Sequence, residues 1–181
     1  MVDLFSIPAP GPRVAFRPLR APDRDAFAAM HMDKQVSDWL GRRFTRADAD
    51  ALFGVLSDGR PWALDAGHGF IGLAGLRPIP ADLPPHAPGA LEILWRLAPA
   101  AQGRGYASEA ARALLAHGFA QGAEGIRAWT ARANARSQAV AARIGMQRRP
   151  DLDFLHPALP RNHSLCAHVV YCMQRCSWHE G

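Results

Sequence analysis

The chain has one lysine: of its 21 basic residues only Lys34 is lysine, and the other twenty are arginine. A P-loop requires Gly-x-x-x-x-Gly-Lys-Ser/Thr, and Lys34 lies far upstream of the glycine-rich turn at 103–105, so that phosphate site is excluded. Cysteine is scarce as well. Cys166, Cys172 and Cys176 are bunched near the C-terminus among His163, His168 and His179. No Cys-x2–4-Cys pair is matched by a second one, which opposes a zinc site, and an odd count in a strand-like segment reads as small core residues, not as a disulfide. No metal is expected. No apolar run approaches the 18 or more residues of a membrane span. The start, Met1-Val-Asp-Leu-Phe-Ser-Ile-Pro, has neither the basic n-region nor the apolar h-region of a leader, so a cytoplasmic location and no membrane partner are expected. A basic run and an aromatic-plus-basic RNA motif are also missing. The net charge of +5 comes from dispersed arginines, and nucleic-acid binding is the third-ranked reading. The 181 residues read as one domain, with residues 1–12 an extension and 176–181 a tail.

What is present centres on Ala98-Pro-Ala-Ala-Gln102-Gly103-Arg104-Gly105-Tyr106-Ala107-Ser108-Glu109-Ala110. An apolar run, 91–97, feeds a glycine-rich turn that opens an alanine/leucine-rich helix. Such a turn gathers backbone N–H groups at the positive end of a helix dipole and suits a pyrophosphate. Glycines at 103 and 105 let the main chain approach phosphate oxygens. A dinucleotide fingerprint fits poorly, because Ser108 stands where a third glycine belongs and Ala133 and Asn134 where an acidic residue would follow the next strand.

Gln102-x-x-Gly105-x-Ala107 matches the pattern Gln/Arg-x-x-Gly-x-Gly/Ala and resembles the coenzyme-A motif of the GNAT superfamily of N-acetyltransferases. The flanks agree. Leu91-Glu92-Ile-Leu-Trp-Arg-Leu97 followed by Pro99 resembles the family's fourth strand, and Asn134-Ala-Arg-Ser137 with Ile144-Gly145-Met146 resembles its Asn-x-x-Ser … Leu-Gly-Phe block, a short helix closed by a glycine. The wording is closest to the RimJ/RimL-like, ribosomal-protein N-terminal acetyltransferase branch, and the likeness spans roughly 13–175. It implies an α+β fold, a mixed and mainly antiparallel sheet of about seven strands flanked by about four helices, with acetyl-CoA as co-substrate.

Periodicity supports that layout. Strand patterns fall at 13–19, on both sides of Gly67-His68-Gly69 within 61–76, at 91–97, 126–132, 146–149 and 165–175. Helical patterns fall at 22–32, 45–57 with Thr45 as N-cap, 104–120 and 136–143. Two long proline-rich connections, 78–89 and 150–163, correspond to segments that flank the acceptor in the family. Asp151 and Asp153 face two readings, partners of a cationic amine or members of a solvated cover.

The resemblance also assigns roles. Most amines are protonated at neutral pH, so acetyl transfer needs a general base. Glu92 is the candidate, the alternative being a glutamate paired with a neighbouring arginine. A backbone N–H near Leu97 would meet the oxyanion. Leu97, Gln102, Gly103, Arg104, Gly105, Tyr106, Ala107, Ser108 and Ser137 would hold the cofactor, and Asn134 the pantetheine arm. Many relatives donate to the leaving thiolate from a tyrosine where this chain has Ala141. Ser137 is the first substitute, though its hydroxyl would otherwise cap helix 136–143, and Tyr171 is the second. No cysteine lies in the motif region, which favours direct transfer over an acyl-enzyme. The expected function is acetyl transfer to a primary amine, first a protein N-terminus and next a small molecule; a homodimer, a longer acyl group, or coenzyme-A binding without catalysis stay open.

Overall fold

The computed structural model describes residues 6–57 and 61–178. In chain order, β1 (Ala15–Arg17) leads through a 3-10 turn to α1 (Arg24–Met32), the single turn α2 (Lys34–Ser37) and α3 (Arg46–Leu56). Strands β2 (Trp62–Asp65), β3 (Phe70–Pro78) and β4 (Ala90–Leu97) follow, then α4 (Tyr106–Ala120), β5 (Gly125–Ala131), α5 (Ala135–Arg143), β6 (Gln147–Arg148), β7 (Phe154–Leu155) and β8 (Ala167–Gln174). The strands form one sheet in the order β1-β2-β3-β4-β5-β8-β6, with β7 also on β8. β4 and β5 are parallel, whereas β5 and β8 are antiparallel. The expected α+β fold is present, with eight strands and five helices among the described residues where about seven and about four were expected. The surplus is the two-residue β7 and the four-residue α2, both too short to carry a periodic apolar signal. Among the described residues no helix is long and apolar enough to cross a membrane.

The described residues divide into two compact units, and β3, β4 and α4 are split between them. The first comprises residues 6–75 and 94–114. Its core is Phe27 and Met30 of α1, Phe53 of α3, Ala63 of β2 and Leu73 of β3. Phe27 meets Phe53 edge-to-face at 5.2 Å, and burying a ring of that size contributes about 2–3 kcal/mol. The entry to α3 is fixed by its N-cap: Thr45 Oγ1 accepts from the Asp48 N–H at 3.1 Å, and Asp48 Oδ2 accepts from the Thr45 N–H at 2.9 Å. That reciprocal pair is the capping box, with its threonine contributing about 1 kcal/mol.

The second unit comprises residues 76–93 and 115–178. Gly118 lets α4 lie close on the sheet, since a Cβ there would stand 2.8 Å from Ile126 Cδ1 and 2.9 Å from Leu76 Cδ1. The two proline-rich connections both pack onto β8: Leu83 from one and Leu152 from the other lie against Phe154, Val170 and Cys172. The Arg127 guanidinium donates to the Pro85 carbonyl, tying the first connection to β5. Cys166 and Cys172 are buried core residues, as expected, and Cys176 is exposed.

Candidate active site

The glycine-rich turn belongs to the first unit, and its start is the end of β4. Three contacts pin that end. Gly72 of β3 lies so close that a Cβ would overlap the Arg96 carbonyl oxygen and the Leu97 side chain. The Ala98 N–H donates to the Ile71 carbonyl at 3.0 Å. The Gln102 side-chain amide turns back and donates to the Leu97 carbonyl at 3.1 Å. Gln102 therefore braces the turn from within. A 3-10 turn, Pro99–Ala101, then delivers the chain to Gly103 and Gly105, whose φ values of +76° and +83° are left-handed. Side-chain-bearing residues rarely adopt that region, which is why both positions are glycine.

α4 starts immediately afterwards and runs for 15 residues. Its first intrahelical bond is Glu109 N–H to the Gly105 carbonyl at 3.1 Å. By helix geometry the N–H groups of Tyr106 and Ala107 have no intrahelical acceptor, and Gly105 offers no capping side chain. Gly103, Arg104 and Gly105 are exposed, Tyr106 and Ala107 half-buried, and Ser108 is buried. The turn thus presents main-chain donors, an arginine and the positive end of a helix dipole to solvent, the chemistry of an anion site.

Glu92, Asn134 and Ser137 lie in the second unit. Glu92 is 6% exposed on β4 and is gripped by two nitrogens of one guanidinium: Arg77 Nε donates to Oε2 at 2.5 Å, and a second Arg77 nitrogen donates to Oε1 at 3.0 Å. Burial pushes the Glu92 carboxyl above the usual range, while the Arg77 hydrogen bonds and charge oppose that shift. The arginine-paired reading of Glu92 is therefore realised in the geometry. Glu92 stands opposite Arg127 in the β4–β5 ladder, which begins at Ala90↔Gly125 and has Glu92↔Arg127 as its last pair.

Asn134, not Ser137, caps α5. Its Oδ1 accepts from the Ser137 N–H at 3.2 Å, because the helix begins at Ala135 and Ser137 is its third residue. Both side chains are half-buried. Ala141, at the family's tyrosine position, is 1% exposed. Tyr171 points to α5, its hydroxyl 3.5 Å from Gln138 Oε1. Asp151 and Asp153 already have partners. Arg149 holds Asp151 at 2.9 and 2.6 Å, and Asp153 takes Arg148, Arg132 and the Val170 N–H.

A profile of the acetyltransferase (GNAT) domain matches residues 13–147, most of the chain. The chain belongs to the GNAT acetyltransferase family. Acetyl-CoA-dependent acetyl transfer follows, and the protein is an N-acetyltransferase. Solved structures agree with this GNAT fold. A GNAT-family acetyltransferase from Bacillus anthracis superposes with a TM-score of 0.79 at 21% identity, covering 94% of this chain and 99% of that one. RimJ from Mycobacterium smegmatis, determined with CoA-disulfide, gives 0.69 at 20% identity, with 92% and 85% covered. Spermidine N-acetyltransferase from Vibrio cholerae, determined with CoA and spermine, gives 0.70 at 14% identity, with 91% and 97% covered.

Several partners of the residues described above carry no signal in the sequence. Arg77 could not be picked out from twenty arginines as the partner of Glu92, fifteen residues away. Arg13 and Glu109 meet beside the turn although 96 residues separate them. Glu109 in the first turn of a helix fits the dipole rule, but nothing in the sequence names its partner.

Proposed function

We propose that this enzyme acetylates the α-amino group of a protein N-terminus by direct transfer from acetyl-CoA, with the turn 102–108 receiving the pyrophosphate. The observation that carries the reading is the exposed, left-handed glycine pair Gly103 and Gly105 at the start of α4, held against the end of β4 by Gln102.

In this reading Gly103, Arg104, Gly105, Tyr106 and Ala107 supply main-chain and cationic partners for the phosphates. Ser108 shapes the first helical turn from a buried position. Asn134, whose Oδ1 is committed to its own helix, keeps its amide NH2 for a pantetheine carbonyl. The Leu97 main chain meets the thioester oxygen as it gains charge, and the Ser137 hydroxyl donates to the departing thiolate.

Glu92 accepts the amine proton through one water. Burial raises its affinity for a proton, and the hydrogen bonds and charge of Arg77 oppose that rise only in part. The acceptor's own pKa decides how much is left for that base to do. An α-amino group with a pKa near 7.7 is about one-sixth neutral at pH 7, whereas a lysine-type amine near 10.4 is neutral in only about one molecule in 2,500. The N-terminal amine therefore asks far less of Glu92 than a lysine-type amine would.

The test is calorimetric titration with acetyl-CoA of the wild-type protein and of Gly105→Trp, followed by free-thiol release on two acceptor panels. Micromolar binding abolished in the variant, with turnover on peptide N-termini, supports the proposal. Turnover on spermidine or lysine alone would reassign the acceptor to small amines. The absence of heat with either acetyl-CoA or CoA would remove the cofactor site from this turn.

A further inference from the structure

One carboxylate beside the glycine turn collects an unusual number of donors. Glu109 Oε1 accepts from the main-chain N–H groups of Arg13 at 2.6 Å and Val14 at 2.9 Å. Glu109 Oε2 accepts from the Arg13 side chain, Nε at 2.9 Å and a terminal nitrogen at 2.8 Å. The segment folds round this carboxylate as a turn, with the Gly11 N–H donating to the Val14 carbonyl at 2.8 Å. A Cβ on Gly11 would stand only 2.6 Å from Glu109 Oε1. The other terminal nitrogen of Arg13 donates to the Arg104 carbonyl at 3.1 Å, and the guanidinium lies 5.1 Å from the centre of the Tyr106 ring.

Two consequences follow for the turn. First, a trans peptide is planar, so its C=O and N–H point in opposite directions. Holding the Arg104 carbonyl toward Arg13 aims the Gly105 N–H away from Arg13, on the opposite side of that peptide. Second, a carboxylate in the first turn of α4 favours the helix dipole but repels any anion bound at the same helix start. The Arg13 guanidinium cancels that charge in place. We propose that Arg13 is a positioning residue for the pyrophosphate of coenzyme A, acting through the Arg104–Gly105 peptide and through neutralisation of Glu109. The inference rests on the reading of the turn as the pyrophosphate site.

The experiment compares affinity for CoA with affinity for pantetheine, which lacks every phosphate, in wild type, Arg13→Met, Arg13→Lys and Arg13→Met/Glu109→Gln. Titration calorimetry, with displacement for the weak ligand, supplies both values. In wild type CoA binds far more tightly than pantetheine. Arg13→Met weakens CoA about tenfold at low salt and leaves pantetheine unchanged. Adding Glu109→Gln removes the negative charge that Arg13 no longer neutralises and recovers part of the loss. Arg13→Lys keeps the charge but not the grip on Arg104, and loses about threefold on CoA alone.

An equal loss on both ligands, or none on either, overturns the positioning role. Should Arg13→Met fail to fold, the lysine variant decides: a wild-type ratio of affinities overturns the proposal. A wild-type protein that does not distinguish CoA from pantetheine overturns the pyrophosphate reading itself, and the inference with it.

Discussion

His31 and Arg96 meet at 2.6 Å, an arginine nitrogen donating to the imidazole Nε2 inside the first unit. The other ring nitrogen, Nδ1, lies 2.9 Å from the Phe27 carbonyl one helical turn back. These partners set the tautomer: Nδ1 carries the proton and Nε2 accepts. The ring is wholly buried and packs on Phe27, with centroids 4.1 Å apart. A second proton has no acceptor there and would face the Arg96 charge.

His31 makes stability depend on pH over a defined window. Burial first, and the Arg96 charge second, lower its pKa from 6.5 to about 4. The unfolded chain takes up a proton as pH falls below 6.5, and the folded chain refuses it until about pH 4. Stability is therefore lost as pH drops through that interval, by about 3 kcal/mol in full. Urea unfolding at pH 7 and pH 4.5 should show a larger loss for wild type than for His31→Gln. Equal losses would mean that His31 titrates normally in the fold.

Glu92→Gln should lower kcat by about 10²- to 10⁴-fold, the usual range for a lost general base, with the CoA affinity unchanged. Arg77→Met tests the clamp separately. Removing the arginine takes away what opposes burial, so the Glu92 pKa rises further. The acidic limb of the kcat/KM profile should then move to higher pH. A limb that stays in place in Arg77→Met would assign the base to another group.

Asp153 anchors the connection between β6 and β8. Its Oδ1 accepts from the Val170 N–H at 3.2 Å, and Oδ2 pairs with Arg148 and, at 3.5 Å, with Arg132. Asp153→Ala leaves a partly buried guanidinium and a main-chain donor without that acceptor, at a cost of about 1–3 kcal/mol. A fall in Tm of roughly 3–8 °C would follow, read from a thermal melt at neutral pH. Weakened acceptor binding with an unchanged Tm would instead place this carboxylate on the substrate.

The sequence made β4, the turn, α4 and α5 legible because each carries a local signal: an apolar strand, two glycines, an alanine/leucine stripe, an Asn-x-x-Ser start. Thr45 was legible for the same reason, as a cap three residues before Asp48. Pairings that bridge the chain were not. Nothing local says that Glu109 lies beside Arg13, or that His31 on an apolar helix face receives Arg96. The cap of α5 went to Asn134 and not to Ser137 because Ser137 lies inside the helix, as its third residue, and offers its N–H to the Asn134 side chain. Asp151 and Asp153, for which an amine partner and a solvated cover were both open, are paired with arginines that abundance alone could not assign.

The disposition of the three cysteines has a practical consequence at the bench. Two are sealed in the interior, and burial pushes the Cys172 thiol up, further from the reactive thiolate. Only Cys176 is open to solvent. A chromogenic disulfide reagent added to the native enzyme should consume one equivalent per chain at once and the others only after unfolding. Acetyl transfer liberates a thiol of its own, so that first equivalent sets the baseline of every turnover trace. A serine at position 176 should make the protein optically silent and leave the released cofactor as the sole signal.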